Sequence, residues 1–329
     1  MNERVAVLGA TGHTGGFVVS ELRRRGMTPV PCGRGTDLGA TFRHADAVIN
    51  CAGPFAVTAA PTIEAAVRAG IPYLDVTAEV EVVAETFAGR AGAGVPIVPA
   101  VGFYGGLADL LATAAMRDWS AADNLTIAYA LSGWRPTPGT RATGRVSAQR
   151  RGGRRIVHAG GGLRHRDGDA PYTEWAFPAP VGTRPVVGEF TTADSVTIPT
   201  HLETPEIATF MSRNAVDDLR SPDPSGPVAV DARGRSAQTF LVEVVARSGG
   251  GERRAVASGR DIYAVTAPLV VEAAARILAG SGDAPGVASV GARFDPVDFL
   301  GSLSPRHLTF GRPATHPTSL TVSRGPADT

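Results

Sequence analysis

Four apolar residues in a row, Val5-Ala-Val-Leu8, begin the pattern of this chain, and so short a run reads as a strand buried on both faces. Gly9, Gly12 and Gly15 follow at once, and Phe17 to Arg25 then carries apolar residues at helical spacing until Gly26 stops it. The alternation repeats. Met27 to Gly33 predicts a second strand, made irregular by Pro29 and Pro31, and Asp46 to Gly53 a buried third. Gly53-Pro54-Phe55 turns the chain, and Pro61 to Gly70 predicts a helix with proline at its start and glycine at its end. A strand over Ile71 to Thr77, a helix over Val80 to Ala91 and a strand over Val95 to Val101 come next. Gly102 to Met116 then leaves through glycines into an apolar helix. Strands alternating with helices predict an α/β fold with a parallel, doubly wound sheet. Between Thr36 and Ala45 there is little room for a full helix and a further strand.

After Trp119 the texture changes. Leu125 to Leu131, Arg154 to His158, Val186 to Phe190 and Thr239 to Ala246 read as short strands between Gly/Pro turns, hence a second, mainly antiparallel domain. Gly259 to Leu278 predicts a long helix with Pro268 in its first turns. That helix would fit against the first domain or in a subunit interface, and residues 311–329 read as a loosely held tail.

Composition narrows the chemistry. The chain has 329 residues, 43% apolar and 19% charged, with a net charge of +1, so no whole-molecule field draws it to nucleic acid or membrane. All 32 basic residues are arginine, which excludes Schiff-base catalysis by lysine and any tyrosine–lysine dehydrogenase pair. Cys32 and Cys51 read as core residues of a reducing compartment, and seven scattered histidines give no metal site. No signal peptide and no membrane-length apolar run is evident, so a cytoplasmic location is expected.

The glycine triplet has a specific meaning between a buried strand and a helix. Gly9 permits the tight turn, Gly12 lets backbone approach a pyrophosphate, and Gly15 lets helix and strand pack closely, with free N–H groups at the helix start facing the anion. At the end of the second strand, where an acid would bind the ribose 2′-hydroxyl of NAD, stands Gly33-Arg34-Gly35. Arg34 offers a guanidinium to adenine and to a 2′-phosphate, which favours NADP; Asp37 nearby is the competing candidate.

The loop Gly9-Ala-Thr-Gly-His-Thr-Gly15, the stretch Val48-Ile-Asn-Cys-Ala-Gly-Pro-Phe55, Tyr73-Leu-Asp-Val-Thr-Ala-Glu79 and Pro99-Ala-Val-Gly-Phe-Tyr-Gly-Gly-Leu-Ala-Asp109 resemble the saccharopine dehydrogenase-like NADP-binding oxidoreductases, a group that includes trans-acting enoyl reductases. Ala193 to Leu202 and Asp261 to Thr266 resemble it more loosely. The resemblance implies an NADP-binding Rossmann domain over residues 1–118 completed by a C-terminal helix within about 261–300, and closed by an inserted mixed-sheet substrate and dimerisation domain over 119–260. It also implies hydride transfer from NADPH to a C=N or C=C bond of a small metabolite, and a homodimer. By position, Gly9, Thr11, Gly12, His13, Thr14 and Gly15 would hold the pyrophosphate and Arg34 the 2′-phosphate. Cys51, Ala52, Gly53, Pro54 and Phe55 would run beside the nicotinamide ribose, and Gly102 and Phe103 would line the nicotinamide pocket. The enoyl reductases have Gly-Phe-Asp where this chain has Gly102-Phe103-Tyr104, so their acid is not carried over.

Reduction also needs a proton donor. Tyr104, on a glycine-flanked turn at the carboxyl edge of the sheet, is the first candidate; the alternative is an aromatic wall. Asp75 and Glu79 either orient ribose or substrate, or cap the following helix. Asp109 reads as structural. Eight arginines between Arg141 and Arg166 fit a glycine-turned hairpin, with Arg141 and Arg145 as candidates for gripping an anionic substrate. Without interleaved aromatics they do not read as a nucleic-acid surface. Beside the reductase reading stand an NADP-binding sensor and a trans-acting partner protein of a biosynthetic pathway.

Overall fold

The computed structural model describes residues 2–33 and 35–316. Its first half alternates as the pattern predicts: β1 (Arg4–Leu8), α1 (His13–Arg24), β2 (Thr28–Cys32), α2 (Leu38–Phe42), β3 (Ala47–Asn50), α3 (Phe55–Ala69), β4 (Tyr73–Asp75), α4 (Val80–Gly89), β5 (Pro96–Val98) and α5 (Leu107–Met116). The second half runs β6 (Asn124–Leu131), α6 (Pro138–Arg150), β7 (Arg155–Ala159), β8 (Gly162–Arg166), β9 (Tyr172–Phe177), β10 (Gly182–Gly188), α7 (Asp194–Thr197), β11 (Ile207–Ser212), α8 (Arg213–Arg220), β12 (Thr239–Ser248) and β13 (Gly251–Arg260). The chain then returns through α9 (Ile262–Leu278), β14 (Gly286–Val287), α10 (Val290–Arg293), α11 (Pro296–Leu303) and β15 (Leu308–His316).

The first sheet is parallel throughout, in the order β14-β5-β4-β3-β1-β2. Strand order reverses at β1, which has β2 on one side and β3 on the other, so the loops after β1 and β3 flank a topological switch point. Val5, Val7 and Ile49 are wholly buried, as strands covered on both faces require. The second sheet runs β15-β13-β12-β6-β11-β10-β9, with β7 and β8 attached beside β11. It is antiparallel except where β11 runs parallel to β6. Helix α5 carries nine buried residues and packs under β12 and β13, so one core joins the two sheets. Helix α9 packs along α1, where the Arg25 guanidinium pairs with both Glu21 and Glu272.

Four expectations change. Helix α3 begins at Phe55, so Pro61 is inside it, because the cap comes from a distant residue. The segment holding Arg141 and Arg145 is helix α6, with only Arg155 to Arg166 forming the hairpin. Residues 259–260 end β13, and α9 starts after Asp261, whose side chain accepts the Tyr263 and Ala264 N–H groups. Residues 311–316 of the expected tail belong to β15, paired with β13, while residues 317–329 lie outside the described residues.

Candidate active site

The loop after β1 is built by close backbone approach. Gly9 has φ +72° and accepts the Gly12 N–H at 2.8 Å on its carbonyl. A Cβ on Gly15 would stand 2.0 Å from that carbonyl oxygen, and one on Gly12 3.1 Å from it. Helix α1 starts at His13 with Gly12 at its N-cap and no side chain capping it. Its first amide groups are thus offered by bare backbone, the arrangement that suits a pyrophosphate. The His13 ring sits edge-on to Phe17 at 5.3 Å and to Tyr263 at 5.2 Å between centroids, and burial holds its pKa down.

A cleft of about 930 Å³ opens from this loop and runs between the two sheets. Gly9, Thr11, Gly12, His13 and Thr14 line it, together with Cys51, Ala52, Gly53, Phe55 and Glu79, and with Phe103 and Tyr104. Gly15, Pro54 and Gly102 support these walls without lining them. Arg34 lies outside the described residues. Its neighbours Gly33 and Thr36 are joined by a Thr36 N–H to Gly33 carbonyl bond, and the Gly33 N–H donates to Thr36 Oγ1 at 2.9 Å. Asp37 is engaged: its Oδ1 accepts the Ala40 N–H at 2.9 Å as the N-cap of α2.

The two carboxylates have structural partners. Asp75 is fully buried and does not line the cleft; it accepts Tyr73 OH at 2.9 Å, Thr77 N–H at 3.0 Å and Ala100 N–H at 2.8 Å. Burial pushes its pKa up to about 6 against those hydrogen bonds. Glu79 accepts the Phe55 N–H at 2.6 Å and the Ala56 N–H at 2.9 Å, so it caps α3, and burial raises its pKa. Glu79 occupies the N-cap position of the helix that follows, α4, but its side chain makes no capping bond there.

Tyr104 is different. Its hydroxyl is buried without a hydrogen-bond partner, a costly state for a polar group in a folded protein. Burial pushes the phenol well above the ordinary tyrosine range, so its proton stays on through neutral pH. The turn that carries it is fixed from below: Asp194, fully buried, accepts the Gly105 N–H at 2.7 Å and Tyr129 OH at 2.6 Å. From above, the Phe103 N–H donates to Thr266 Oγ1 at 3.1 Å.

The arginines expected at the substrate lie elsewhere. Arg141 donates to the Ser221 carbonyl at 3.0 Å and to the Asp223 carbonyl, and Arg145 is exposed; neither lines the cleft. Arg151, Arg154 and Arg155 do. Helix α6 instead contributes Thr143, whose Oγ1 would be 2.5 Å from a Cβ on Gly53, so a side chain at 53 would have to displace Thr143 where α6 meets that turn. Trp134 and Tyr263 escaped the sequence reading. Tyr263 OH meets Trp134 Nε1 at 3.1 Å, Thr137 N–H at 3.2 Å and Thr140 Oγ1 at 3.0 Å, which ties the entry to α6 onto α9. The only local signal was Tyr263 within the Asp261-Ile-Tyr motif.

Among the described residues no group of three or more His, Cys, Asp or Glu side chains could hold a metal ion, and no helix is long and apolar enough to cross a membrane. Cys32 and Cys51 are free thiols.

No family model and no curated protein matches the chain. Among solved structures it is similar to apo histidine-tagged saccharopine dehydrogenase (L-Glu forming) from Saccharomyces cerevisiae. That likeness spans 96% of this chain and 100% of the other, with a TM-score of 0.58 and 11% identity. It is also similar to dipicolinate-bound dihydrodipicolinate reductase from Paenisporosarcina sp. TG-14, over 88% of this chain and 98% of the other, at a TM-score of 0.39 and 10% identity. The first of these establishes a shared fold: a Rossmann-like parallel sheet with a second, mixed sheet.

Proposed function

We propose that this chain, which has the saccharopine dehydrogenase fold, is an NADPH-dependent oxidoreductase that reduces a C=N or C=C bond of a small metabolite. The observation that carries this reading is the unpartnered Tyr104 hydroxyl, in the same cleft as a bare-backbone pyrophosphate cradle at the switch point of the sheet. A bound nicotinamide would supply a hydride, two electrons delivered to the carbon of the reducible bond. Gly9, Thr11, Gly12 and Thr14 hold the pyrophosphate, and Cys51 to Gly53 border the path toward Tyr104. As the hydride arrives, negative charge develops on the substrate heteroatom. Tyr104 donates its hydroxyl proton to that atom, satisfying its own unmet hydrogen bond at that moment, and recovers a proton from solvent as product leaves; where a C=C bond is reduced, the enol so formed tautomerises to the saturated product. Helix α6, held by Tyr263, approaches the turn at Gly53 through Thr143.

NADPH is favoured over NADH because Asp37, the acid closest in sequence to the end of β2, is committed to capping α2. Arg34 is then the group nearest in sequence for a 2′-phosphate. Calorimetric titration with NADPH and NADH tests the reading. Micromolar NADPH binding with much weaker NADH binding is the expected result, and binding of neither removes the proposal.

A further inference from the structure

Apolar side chains of the cleft gather at Tyr104, alongside polar residues such as Thr191 and Thr192 that also line it. Trp134, Ala170, Val187, Phe190, Val216 and Leu219 line it. The rings of Trp134 and Phe190 stand 5.9 Å and 6.3 Å from that of Tyr104. Glu189 lines it too, but is already paired with Arg155 at 2.8 Å.

The guanidinium groups of the cleft fall into two sets. Arg155 gives its other hydrogen bonds to the Gly168 and Asp167 carbonyls, and Arg151 binds Ser147 Oγ at 2.6 Å and pairs with Glu81. Arg154 and Arg220 are exposed and belong to the rim. A substrate carboxylate at Tyr104 would lie beside the Trp134 and Phe190 rings, with the two guanidinium groups that are not exposed, Arg151 and Arg155, already paired to Glu81 and Glu189, and the desolvation of a charge opposes that burial. A hydrocarbon body would instead exchange water for those walls.

We propose that the substrate of this cleft is an uncharged, predominantly apolar molecule, packed among Trp134, Phe190, Val216 and Leu219. It carries one hydrogen-bond acceptor, beside its reducible bond, for Tyr104. The proposal rests on the reading of the cleft as a reductase site.

Two probes of similar shape test it: benzylideneacetone, neutral, and trans-cinnamate, which replaces the methyl ketone by a carboxylate. Each is titrated into the protein with NADP⁺ present, following tryptophan fluorescence, with Trp134→Phe isolating the share of Trp134 among three tryptophans. Benzylideneacetone is expected to bind about tenfold or more tightly than trans-cinnamate, and Phe190→Ala to weaken it by about tenfold. Leu219→Arg, at a partly exposed position, supplies the missing cation and should narrow or reverse the preference. Equal or tighter binding of trans-cinnamate by the native protein, or neutral-probe binding unchanged in Phe190→Ala, overturns the proposal. Benzylideneacetone binding without NADPH oxidation supports the apolar site and counts against the reductase reading instead.

Discussion

Glu79 caps a helix that begins twenty-four residues before it: its carboxylate accepts the Phe55 N–H at 2.6 Å from across the sheet edge. The second oxygen takes the Ala56 N–H at 2.9 Å, and the whole side chain is buried. This contact fixes the turn after β3, and with it one wall of the cleft. Glu79→Ala strips the buried Phe55 N–H and the part-buried Ala56 N–H of their acceptor and is expected to destabilise the fold by about 1–3 kcal/mol. Urea denaturation checks this; an unchanged midpoint would show that the cap contributes nothing.

The glycine loop makes a paired prediction. A methyl group at Gly15 meets the Gly9 carbonyl oxygen at 2.0 Å, whereas at Gly16, one residue on, it meets nothing within 4 Å. Gly15→Ala should therefore force α1 away from β1 and abolish cofactor binding. Gly16→Ala, inside the helix, should be neutral or stabilise by up to about 1 kcal/mol. Thermal midpoints and NADPH titration of the two variants give the comparison.

These two loops also show how far the sequence was legible. The glycine turn could be read locally because an apolar strand, three glycines and an amphipathic helix all occur within twenty-five residues. The start of α3 could not. Pro61 looks like a first-turn proline, and nothing near Phe55 announces that a glutamate from the next βα unit will cap it. The basic stretch misled for a related reason. Helix α6 buries only Ser147 among its thirteen residues, so it has no apolar stripe to betray it. Its signal was Thr137 followed by Pro138, an N-cap and a first-turn proline. Strand β15 owes its place to β13, more than fifty residues earlier, which local pattern does not report.

Asp75 carries a pH signature. Its folded-state pKa of about 6 lies above the ordinary carboxylate value of 3.8, so the folded protein holds the proton more tightly than the unfolded chain. The stabilisation this gives is complete below about pH 4 and is lost as pH rises through about 6, a swing on the order of 2–3 kcal/mol. Asp75→Asn keeps an oxygen for the Thr77 and Ala100 amides and has no proton to lose. Denaturation of both proteins from pH 4 to 7 should show the variant gaining relative stability with rising pH; parallel curves would refute the assignment.

In the proposed reading Arg34 selects NADPH over NADH. Removing a charge-assisted contact to a 2′-phosphate costs about 1.5–3 kcal/mol, so Arg34→Ala should weaken NADPH by about 10- to 100-fold. NADH has no such phosphate, and its affinity should hardly move. Equal losses for both would mean that Arg34 meets the adenine or the shared diphosphate.

The proton-donor assignment rests on one oxygen atom. Tyr104→Phe removes the unpartnered hydroxyl and leaves the ring among Phe103, Tyr129, Trp134 and Phe190. Because that hydroxyl has no partner in the folded protein, the variant should be as stable as the native chain or more so. Its NADPH affinity should be unchanged as well, since the Tyr104 hydroxyl is no part of the backbone cradle formed by residues 9–14. Turnover should fall by about 10²–10³-fold, the loss expected when a donor to developing charge is removed. The opposite directions separate a group kept for chemistry from one kept for packing. A wall residue would lose neither stability nor rate, and a structural hydroxyl would lose stability first. A Tyr104→Phe protein that reduces the substrate at the native rate would leave the cleft without a proton donor and return Tyr104 to the role of aromatic lining.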